Sequence, residues 1–201
     1  MLAHPDIERL SHALTSHPGV RIDVAHPLRR AAVAIVLRLG DDNALELLLI
    51  KRAEFAGDPW SGHVALPGGR GEDTDASAAG TAIRETLEET ALDLVRDGRL
   101  IGALDEVQPR NLALPPIVIA PFVFVTRSDV RIVVSHEVAH AFWVPLAALR
   151  DPGSVREIEL QLLNEARRVR SFGYGNHEIW GLTERILSRL LEALGGAFAQ
   201  P

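Results

Sequence analysis

The sequence contains no cysteine among its 201 residues. This absence excludes a disulfide framework, a thiolate nucleophile and a zinc site with cysteine ligands. It is compatible with the reducing conditions of a cytoplasm. Any metal site in the chain must therefore use oxygen or imidazole ligands.

Basic residues and long apolar runs are also scarce. Lys and Arg together number 21 against 27 Asp and Glu, and the net charge of −6 argues against a nucleic-acid partner that binds a basic surface. The longest apolar stretch, residues 112–125, is interrupted by prolines and is too short to cross a bilayer. The first thirty residues show no export-signal pattern. We therefore expect a cytoplasmic protein without a membrane partner, in which an anionic substrate would need a local basic patch or a divalent metal.

What is present is the composition of a globular protein, with 47% apolar and 24% charged residues. Without repeats or linkers, residues 1–201 are expected to form a single domain. Apolar alternation predicts strands at residues 31–39, 45–51, 64–66, 99–104, 117–126 and 130–134. Helical spacing predicts helices within residues 1–18, from Asp75 to near Ala91, at 145–149 and at 182–194. The polar segment 157–168 is left unassigned, and the whole pattern predicts a mixed α/β fold.

The predicted helix after Asp75 carries three carboxylates on one face. Glu85, Glu88 and Glu89 are separated by three and four positions, so their side chains project from a single turn. A solvated acidic face is the simple interpretation of such a triplet. The glycine-rich turn that precedes this helix favours a second interpretation, a divalent-metal site. Mg²⁺ is typically held by a few carboxylates together with substrate phosphates.

This segment resembles the Nudix box of the Nudix hydrolases. Gly69 is followed after five residues by Asp75, and Arg84-Glu85 precede Glu88-Glu89 at the spacing of that family. The chain departs from the family pattern in having Asp75 in place of Glu, a longer spacer, and Ala91 in place of the closing glycine. The resemblance implies a Nudix-type α/β/α sandwich with a mixed β-sheet. In it, residues 1–30 would form an N-terminal extension, and residues 68–92 would carry the loop and helix of the box.

Segments outside the box resemble the coenzyme A pyrophosphatase branch of the family. They are residues 48–53, 62–69, 136–146 and 179–183. The resemblance implies hydrolysis of coenzyme A or acyl-CoA to 3',5'-ADP and (acyl-)4'-phosphopantetheine. ADP-ribose, dinucleoside polyphosphates and nucleotide sugars stay open as alternatives, because Gly57 or Asp58 stands where that branch carries a second arginine.

The resemblance also implies a role for each residue of the site. The expected ligands of Mg²⁺ or Mn²⁺ are Glu85, Glu88, Glu89 and the Gly69 carbonyl. The expected catalytic residues are Glu85, Glu89, Glu137 and Arg84, with Arg84 anchoring the loop to the helix through an acidic residue such as Asp75. Substrate would contact Arg52, Gly68 and Arg70. The general base is left open between a glutamate of the helix and Glu137, the partner is a small nucleotide, and a homodimer is left open.

Two alternatives belong to other functional classes. His136-Glu137-Val138-Ala139-His140 matches the HExxH signature, in which two histidines one helical turn apart bind zinc and the glutamate activates water. The match needs a helix, whereas it follows a β-branched run and leads into Pro145, so we expect His136 and His140 in a loop or at a strand end. The second alternative is a nucleotide-binding module without catalytic activity.

Overall fold

A computed structural model describes residues 4–23, 29–57, 60–109, 117–162 and 165–195. Its α-helices are α1 (Pro5–Ser16), α2 (Ala78–Thr90), α3 (Leu94–Asp97), α4 (Leu146–Arg150) and α5 (Gly181–Ala193). Its strands are β1 (Arg29–Leu39), β2 (Leu45–Arg52), β3 (Val64–Ala65), β4 (Gly68–Arg70), β5 (Gly98–Ala103), β6 (Ile117–Thr126), β7 (Val138–Pro145), β8 (Val155–Leu162), β9 (Glu165–Tyr174) and β10 (His177–Trp180). None of the helices in these ranges is long and apolar enough to cross a membrane.

A seven-stranded mixed sheet lies at the centre of the fold. Its strand order is β3-β2-β1-β6-β5, with β4 paired to β1 and β7 paired to β2. β1 and β6 run parallel, with Ala31 opposite Ile119, whereas the other strand pairs of this sheet are antiparallel. A separate antiparallel sheet has the order β10-β9-β8. The mixed α/β architecture predicted from the sequence is confirmed.

Apolar residues on both faces of the central sheet form two cores, because successive residues of a strand point to opposite faces. On one face Leu48 of β2 packs in a cluster with Ala82 of α2. On the other face Leu47 and Leu49 belong to the main core, which includes buried residues of α1, α5, β9 and β10. The central sheet is thus enclosed between α2 and a layer made of α1, α5 and the second sheet, as the α/β/α expectation requires.

The N-terminal helix is an integral part of the main core. Ile7, Leu10 and Leu14, the three positions that helical spacing places on one side, are all buried. Arg9 ties the helix to the other end of the chain, since its Nη1 donates to the Leu194 carbonyl at 3.3 Å. Parts of the predicted N-terminal extension and of the apolar stretch 112–125 lie outside the described residues. These parts fall on residues 1–3, 24–28 and 110–116.

The strand predicted at residues 130–134 is wrong. This segment has no strand partner because its amides serve a helix end instead. The Val133 N–H donates to the Thr90 carbonyl at 2.9 Å and the Ser135 N–H to the Glu89 carbonyl at 3.0 Å, which satisfies acceptors that the last turn of α2 leaves unpaired.

The described residues of the unassigned segment 157–168 lie in β8 and β9, which pair antiparallel. Its strands pair opposite charges, with Glu157 opposite Arg170 and Glu159 opposite Arg168. Such cross-strand pairs stabilise a hairpin without an apolar alternation. The polar character that obscured the strands is therefore part of what pairs them.

Ala91 ends α2 in a conformation that favours glycine. Its φ is 53° and its ψ is 17°, in the left-handed region, and its N–H donates to the Leu87 carbonyl. Glycine adopts this conformation without the steric cost of a Cβ atom. We expect Ala91→Gly to stabilise the fold by about 1 kcal/mol, which raises the melting temperature by roughly 3 °C for a chain of this size. Thermal unfolding followed by circular dichroism tests this, with Ala78→Gly in the first turn of α2 as the control that should destabilise.

Candidate metal and active site

Two consecutive glycines bring the backbone of β4 against neighbouring groups. A Cβ atom on Gly68 would lie 2.3 Å from the Ala32 carbonyl oxygen, and its φ of +147° is one that side chains disfavour. A Cβ atom on Gly69 would lie 2.6 Å from the carboxylate of Glu85. Gly68 therefore permits the close pairing of β4 with β1, and Gly69 leaves the space that the Glu85 carboxylate occupies.

Helix α2 presents its carboxylates to this glycine turn. The helix begins after Ser77, whose hydroxyl accepts from the Gly80 N–H at 3.0 Å. The fully buried Thr86 and Thr90 lie toward the interior. Glu85 and Glu89 occupy the side that faces β4, whereas the Glu88 side chain is 56% exposed. The structure therefore brings two of the three predicted helix ligands together and directs the third outward.

Glu89 is a buried acid, with only 3% of its surface exposed. Its Oε2 accepts a hydrogen bond from the Gly68 N–H at 2.9 Å. Burial raises the pKa of Glu89 to about 7, partly opposed by the Gly68 hydrogen bond and supported by the nearby charge of Glu85. Burial likewise raises the pKa of Glu85. Since the Gly68 amide already serves Glu89, the substrate contact predicted for Gly68 cannot use this N–H group in the present arrangement.

Arg84 anchors the loop before α2, as the sequence predicts. Its Nε donates to Asp75 Oδ1 at 2.9 Å and its Nη2 to Asp75 Oδ2 at 3.1 Å. Its Nη2 also donates to the Arg70 carbonyl at 2.9 Å. The hydrogen bond from Arg84 holds the pKa of Asp75 well below its usual range. The Arg70 side chain itself is exposed, so the backbone of Arg70 joins this network and its side chain faces solvent.

Arg84 also contacts two of the helix carboxylates. Its Nη1 lies 3.1 Å from Glu85 Oε1 and 3.0 Å from Glu88 Oε2. These contacts neutralise part of the repulsion among the three like charges. Arg84 thus connects the loop, the β4 backbone and the carboxylate face.

Glu137 approaches the helix carboxylates from a separate loop. It follows the Val133 and Ser135 amides that cap α2, and its carbonyl accepts from the Ala53 N–H at 2.8 Å. Its side chain is exposed, and its charge contributes to the raised pKa of both Glu85 and Glu89. Arg52 at the end of β2 acts in the opposite direction and lowers the pKa of Glu89. The capping amides that position Glu137 gave no recognisable pattern in the sequence.

The HExxH match has no helix to support it. His136 lies in the loop before β7, and His140 lies within β7 opposite Lys51 of β2. The two imidazoles therefore lack the one-turn helical spacing of a zinc peptidase. Gly57, one of the positions at which the second arginine is missing, lies in a turn, and Asp58 is outside the described residues.

Residues 28–165 match the family described as NUDIX domain. The chain belongs to the Nudix hydrolase family. The match includes the glycine turn, all of α2 and the Glu137 loop, so the elements that form the carboxylate site lie within the Nudix domain.

Named relatives agree with this assignment. "Nudix hydrolase 15, mitochondrial" from Arabidopsis thaliana is 32% identical over 168 residues, which cover 80% of this chain and 57% of the relative. "Uncharacterized Nudix hydrolase NudL" from Cronobacter sakazakii is 32% identical and covers 83% of each chain. A Schizosaccharomyces pombe protein, "Uncharacterized protein C14C4.10c", is 36% identical over 70% of this chain. The Nudix chain spans 48% of that protein and 57% of the Arabidopsis relative.

A solved structure extends the likeness of fold over almost the whole chain. It is a MutT/nudix family protein from Enterococcus faecalis, with a TM-score of 0.55 and 17% identity, covering 97% of this chain and 81% of that one. At this identity the similarity concerns the fold alone. It places this chain's α/β/α arrangement among Nudix folds.

Nudix hydrolases generally use divalent metal ions, and the donors of this site suit a hard cation. Glu85 and Glu89 supply carboxylate oxygens beside the Gly68–Gly69 backbone, the oxygen chemistry that Mg²⁺ prefers. Across the described ranges, no three His, Asp or Glu side chains form a ready-made metal cage. Mg²⁺ commonly retains waters and takes substrate phosphates as further ligands. The residues present therefore fit a cation shared between the Nudix chain and its substrate.

The raised pKa of Glu89 predicts how the stability of the metal-free Nudix protein depends on pH. Because the folded pKa of about 7 exceeds the usual 4.5, the folded state binds the proton more tightly than the unfolded state. Protonated Glu89 therefore adds about 3 kcal/mol to the free energy of unfolding. This stabilisation is complete below pH 4.5 and is lost as the pH rises through 7. The quantity to measure is the unfolding free energy in EDTA between pH 5 and 8.

Glu89→Gln is the matched control for that experiment. The amide carbonyl can still accept from Gly68 N–H, but the side chain no longer ionises. We expect the metal-free variant to be more stable than the parent protein at pH 8 and the difference to shrink toward pH 5. A difference that stays constant over this range would contradict the burial of a titrating carboxyl at position 89.

Proposed function

We propose that this protein hydrolyses the diphosphate bond of a nucleoside diphosphate derivative with the help of Mg²⁺ or Mn²⁺, and that its substrate is coenzyme A or an acyl-CoA. The products would be 3',5'-ADP and (acyl-)4'-phosphopantetheine. Family membership supports the reaction class. The preference for coenzyme A rests on the resemblance of residues 48–53 and 62–69 to that branch of the family.

The observation that carries the proposal is the approach of two carboxylates, Glu85 and Glu89, to one glycine turn, with the charge of Glu137 acting on both. Glu85 fills the space above Gly69, Glu89 accepts from the Gly68 N–H, and the charge of Glu137 acts on both acids. Carboxylates of like charge this close together are typical of functional sites, especially when burial raises the pKa of two of them. A counter-cation would relieve their repulsion.

Glu85, Glu89 and the Gly69 carbonyl are the groups we assign to the cation. Glu88 is exposed and hydrogen-bonded to Arg84, so we place it at the margin of this set. When bound, the cation would neutralise the negative charge of the diphosphate and orient it for attack. Arg84 would keep Glu85 and the loop in register through its contacts with Asp75 and the Arg70 carbonyl.

We assign the general base to Glu137. Its exposed carboxylate can take a proton from the attacking water and release it to solvent. The water oxygen then forms a bond to phosphorus while the bond from phosphorus to the bridging oxygen breaks, and two phosphate monoesters result. Glu89, whose carboxyl is buried and already accepts from Gly68, is the alternative base. Arg52 and Arg70 would contact the anionic substrate from the rim of the site.

The test is a substrate panel analysed by mass. The purified protein is incubated with Mg²⁺ or Mn²⁺ and coenzyme A, acetyl-CoA, ADP-ribose, NADH, diadenosine polyphosphates or nucleoside triphosphates in ¹⁸O-labelled water. We expect cleavage of coenzyme A to 3',5'-ADP and 4'-phosphopantetheine, with one ¹⁸O atom in a single product. The same panel with Glu89→Gln gives the background.

The outcomes separate the levels of the proposal. Faster cleavage of ADP-ribose or a dinucleoside polyphosphate would reject coenzyme A as the substrate and keep the reaction class. Absence of cleavage with either metal across the whole panel would reject the hydrolase proposal and favour the binding module.

A further inference from the structure

Four aromatic rings cluster on the face of the central sheet opposite α2. Phe142 and His177 are stacked, with ring centroids 4.3 Å apart and planes 14° apart. Tyr174 lies nearly parallel to Phe142 at 6.5 Å, and His140 lies 5.0 Å from His177. We call these four residues the ring shelf.

Strand geometry explains why the rings meet. His140 and Phe142 are two residues apart on β7 and therefore project from the same face. Tyr174 and His177 pair across the β9–β10 hairpin, which the Gly175 turn with φ +57° allows. The shelf is thus assembled from two sheets that pack against each other over the main core.

Packing against the main core explains the positions of two of the four rings in the shelf. Phe142 and Tyr174 contact the main core, as aromatic residues at a core margin often do. The two imidazoles are different, because His140 is exposed and His177 is half-buried. Their Nε2 atoms lie 3.4 Å apart, so one ring donates and the other accepts only when at least one is neutral. Burial, His140 and Lys51 lower the pKa of His177, which favours an uncharged His177 ring at neutral pH.

The shelf is continuous with the carboxylate site along β7. Lys51 pairs with His140 while Arg52 pairs with Val138, which leaves Ala139 as the extra residue of a bulge. Bulges bend a strand and redirect side chains, often beside active sites. Glu137 precedes His140 by three residues, about 10 Å of extended chain. A nucleotide with its phosphates near Glu137 can therefore place its base beyond the bend of β7.

We propose that the ring shelf, with Lys51 beside it, binds the nucleobase of the nucleotide substrate. Any nucleobase can stack on an aromatic ring, because every base has a π-face. Lys51 is the only lysine of the chain and would attract the phosphate groups that accompany the base. The proposal rests on the proposed function for the place of the diphosphate, whereas the stacking itself can be measured without turnover.

Binding of two fragments to the full chain with Mg²⁺ tests the shelf. AMP carries a base, and inorganic pyrophosphate does not. We expect His177→Ala and His140→Ala each to weaken AMP binding roughly tenfold, the equivalent of about 1.4 kcal/mol, and to leave pyrophosphate binding within about twofold. His177→Phe keeps a ring and should restore AMP affinity. His12→Ala, an exposed histidine on α1, is the control. Circular dichroism confirms that each variant is folded.

The lone lysine supplies a second measurement. Acetic anhydride modifies the amines of Lys51 and of the chain's N-terminus, and mass spectrometry reports each separately. We expect AMP to protect Lys51 several-fold while the N-terminal amine reacts unchanged. Three outcomes would each overturn nucleobase binding at the ring shelf. They are equal losses of AMP and pyrophosphate binding in His177→Ala, no loss of either, and no protection of Lys51 by AMP.

Steady-state kinetics separates this inference from the proposed function. If the parent hydrolyses its substrate, His177→Ala should raise KM about tenfold with kcat within twofold. Hydrolysis with KM unaltered in this variant would refute the shelf and keep the hydrolase. AMP binding that depends on His177 in a protein that cleaves nothing would keep the shelf and refute the hydrolase.

Discussion

Replacing Glu89 by Gln is expected to lower kcat for diphosphate hydrolysis about 10³-fold while the protein stays folded. A cation at a diphosphate contributes several kcal/mol of charge stabilisation in the transition state, and each 1.36 kcal/mol corresponds to a factor of about ten in rate. Glutamine retains the volume of glutamate and an oxygen for the Gly68 N–H. The variant therefore removes the negative charge with little change in packing, and rates at saturating Mg²⁺ and substrate measure the loss.

Glu88→Gln is the comparison that gives this result its meaning. Glu88 lies one position away on the same helix, yet its side chain is 56% exposed and bound to Arg84. We expect its replacement to reduce kcat by less than about tenfold, within the range of a surface charge. Equal losses in the two variants would show that the helix acts through its total charge, and activity of Glu89→Gln at the parent level would reject Glu89 as a ligand.

The carboxylate face could be predicted because it depends on local geometry. Residues three and four apart share a helix face whatever the rest of the chain does, so the spacing of Glu85 and Glu89 was sufficient. The pairing of Arg84 with Asp75 was also predicted and is confirmed. The same rule could not distinguish Glu88, because its exposure depends on where β4 passes the helix.

The features that were missed depend on contacts between distant segments. Val133 lies in the predicted strand 130–134, and only the position of the α2 end shows why its N–H donates to the Thr90 carbonyl and the following Ser135 N–H to the Glu89 carbonyl. The ring shelf joins β7 to the β9–β10 hairpin, and the sequence pattern predicts none of these three strands. Such pairings follow from the tertiary fold, which propensity and period alone do not determine.

Replacing Gly69 by Ala is expected to lower activity about 10²-fold, since an error near 1 Å in a catalytic group can have this effect. The added Cβ would lie 2.6 Å from the Glu85 carboxylate, which is the movable end of a long side chain. Glu85 would therefore shift and the backbone would stay in place. The concentration of Mg²⁺ that gives half-maximal rate should rise together with the loss of kcat, and a titration of rate against Mg²⁺ measures both.

Neighbouring glycines provide two controls for this prediction. At Gly71 a Cβ would meet only atoms at 3.6 Å, an ordinary contact, so Gly71→Ala should keep both kcat and the Mg²⁺ requirement within about twofold. At Gly68 the Cβ would lie 2.3 Å from a backbone oxygen that cannot move independently, so Gly68→Ala should unfold at a lower temperature, a defect that Gly69→Ala should not share. If Gly69→Ala instead lost stability without any change in its Mg²⁺ requirement, the space above Gly69 would serve the packing of β4, and Glu85 would have to be removed from the proposed set of ligands.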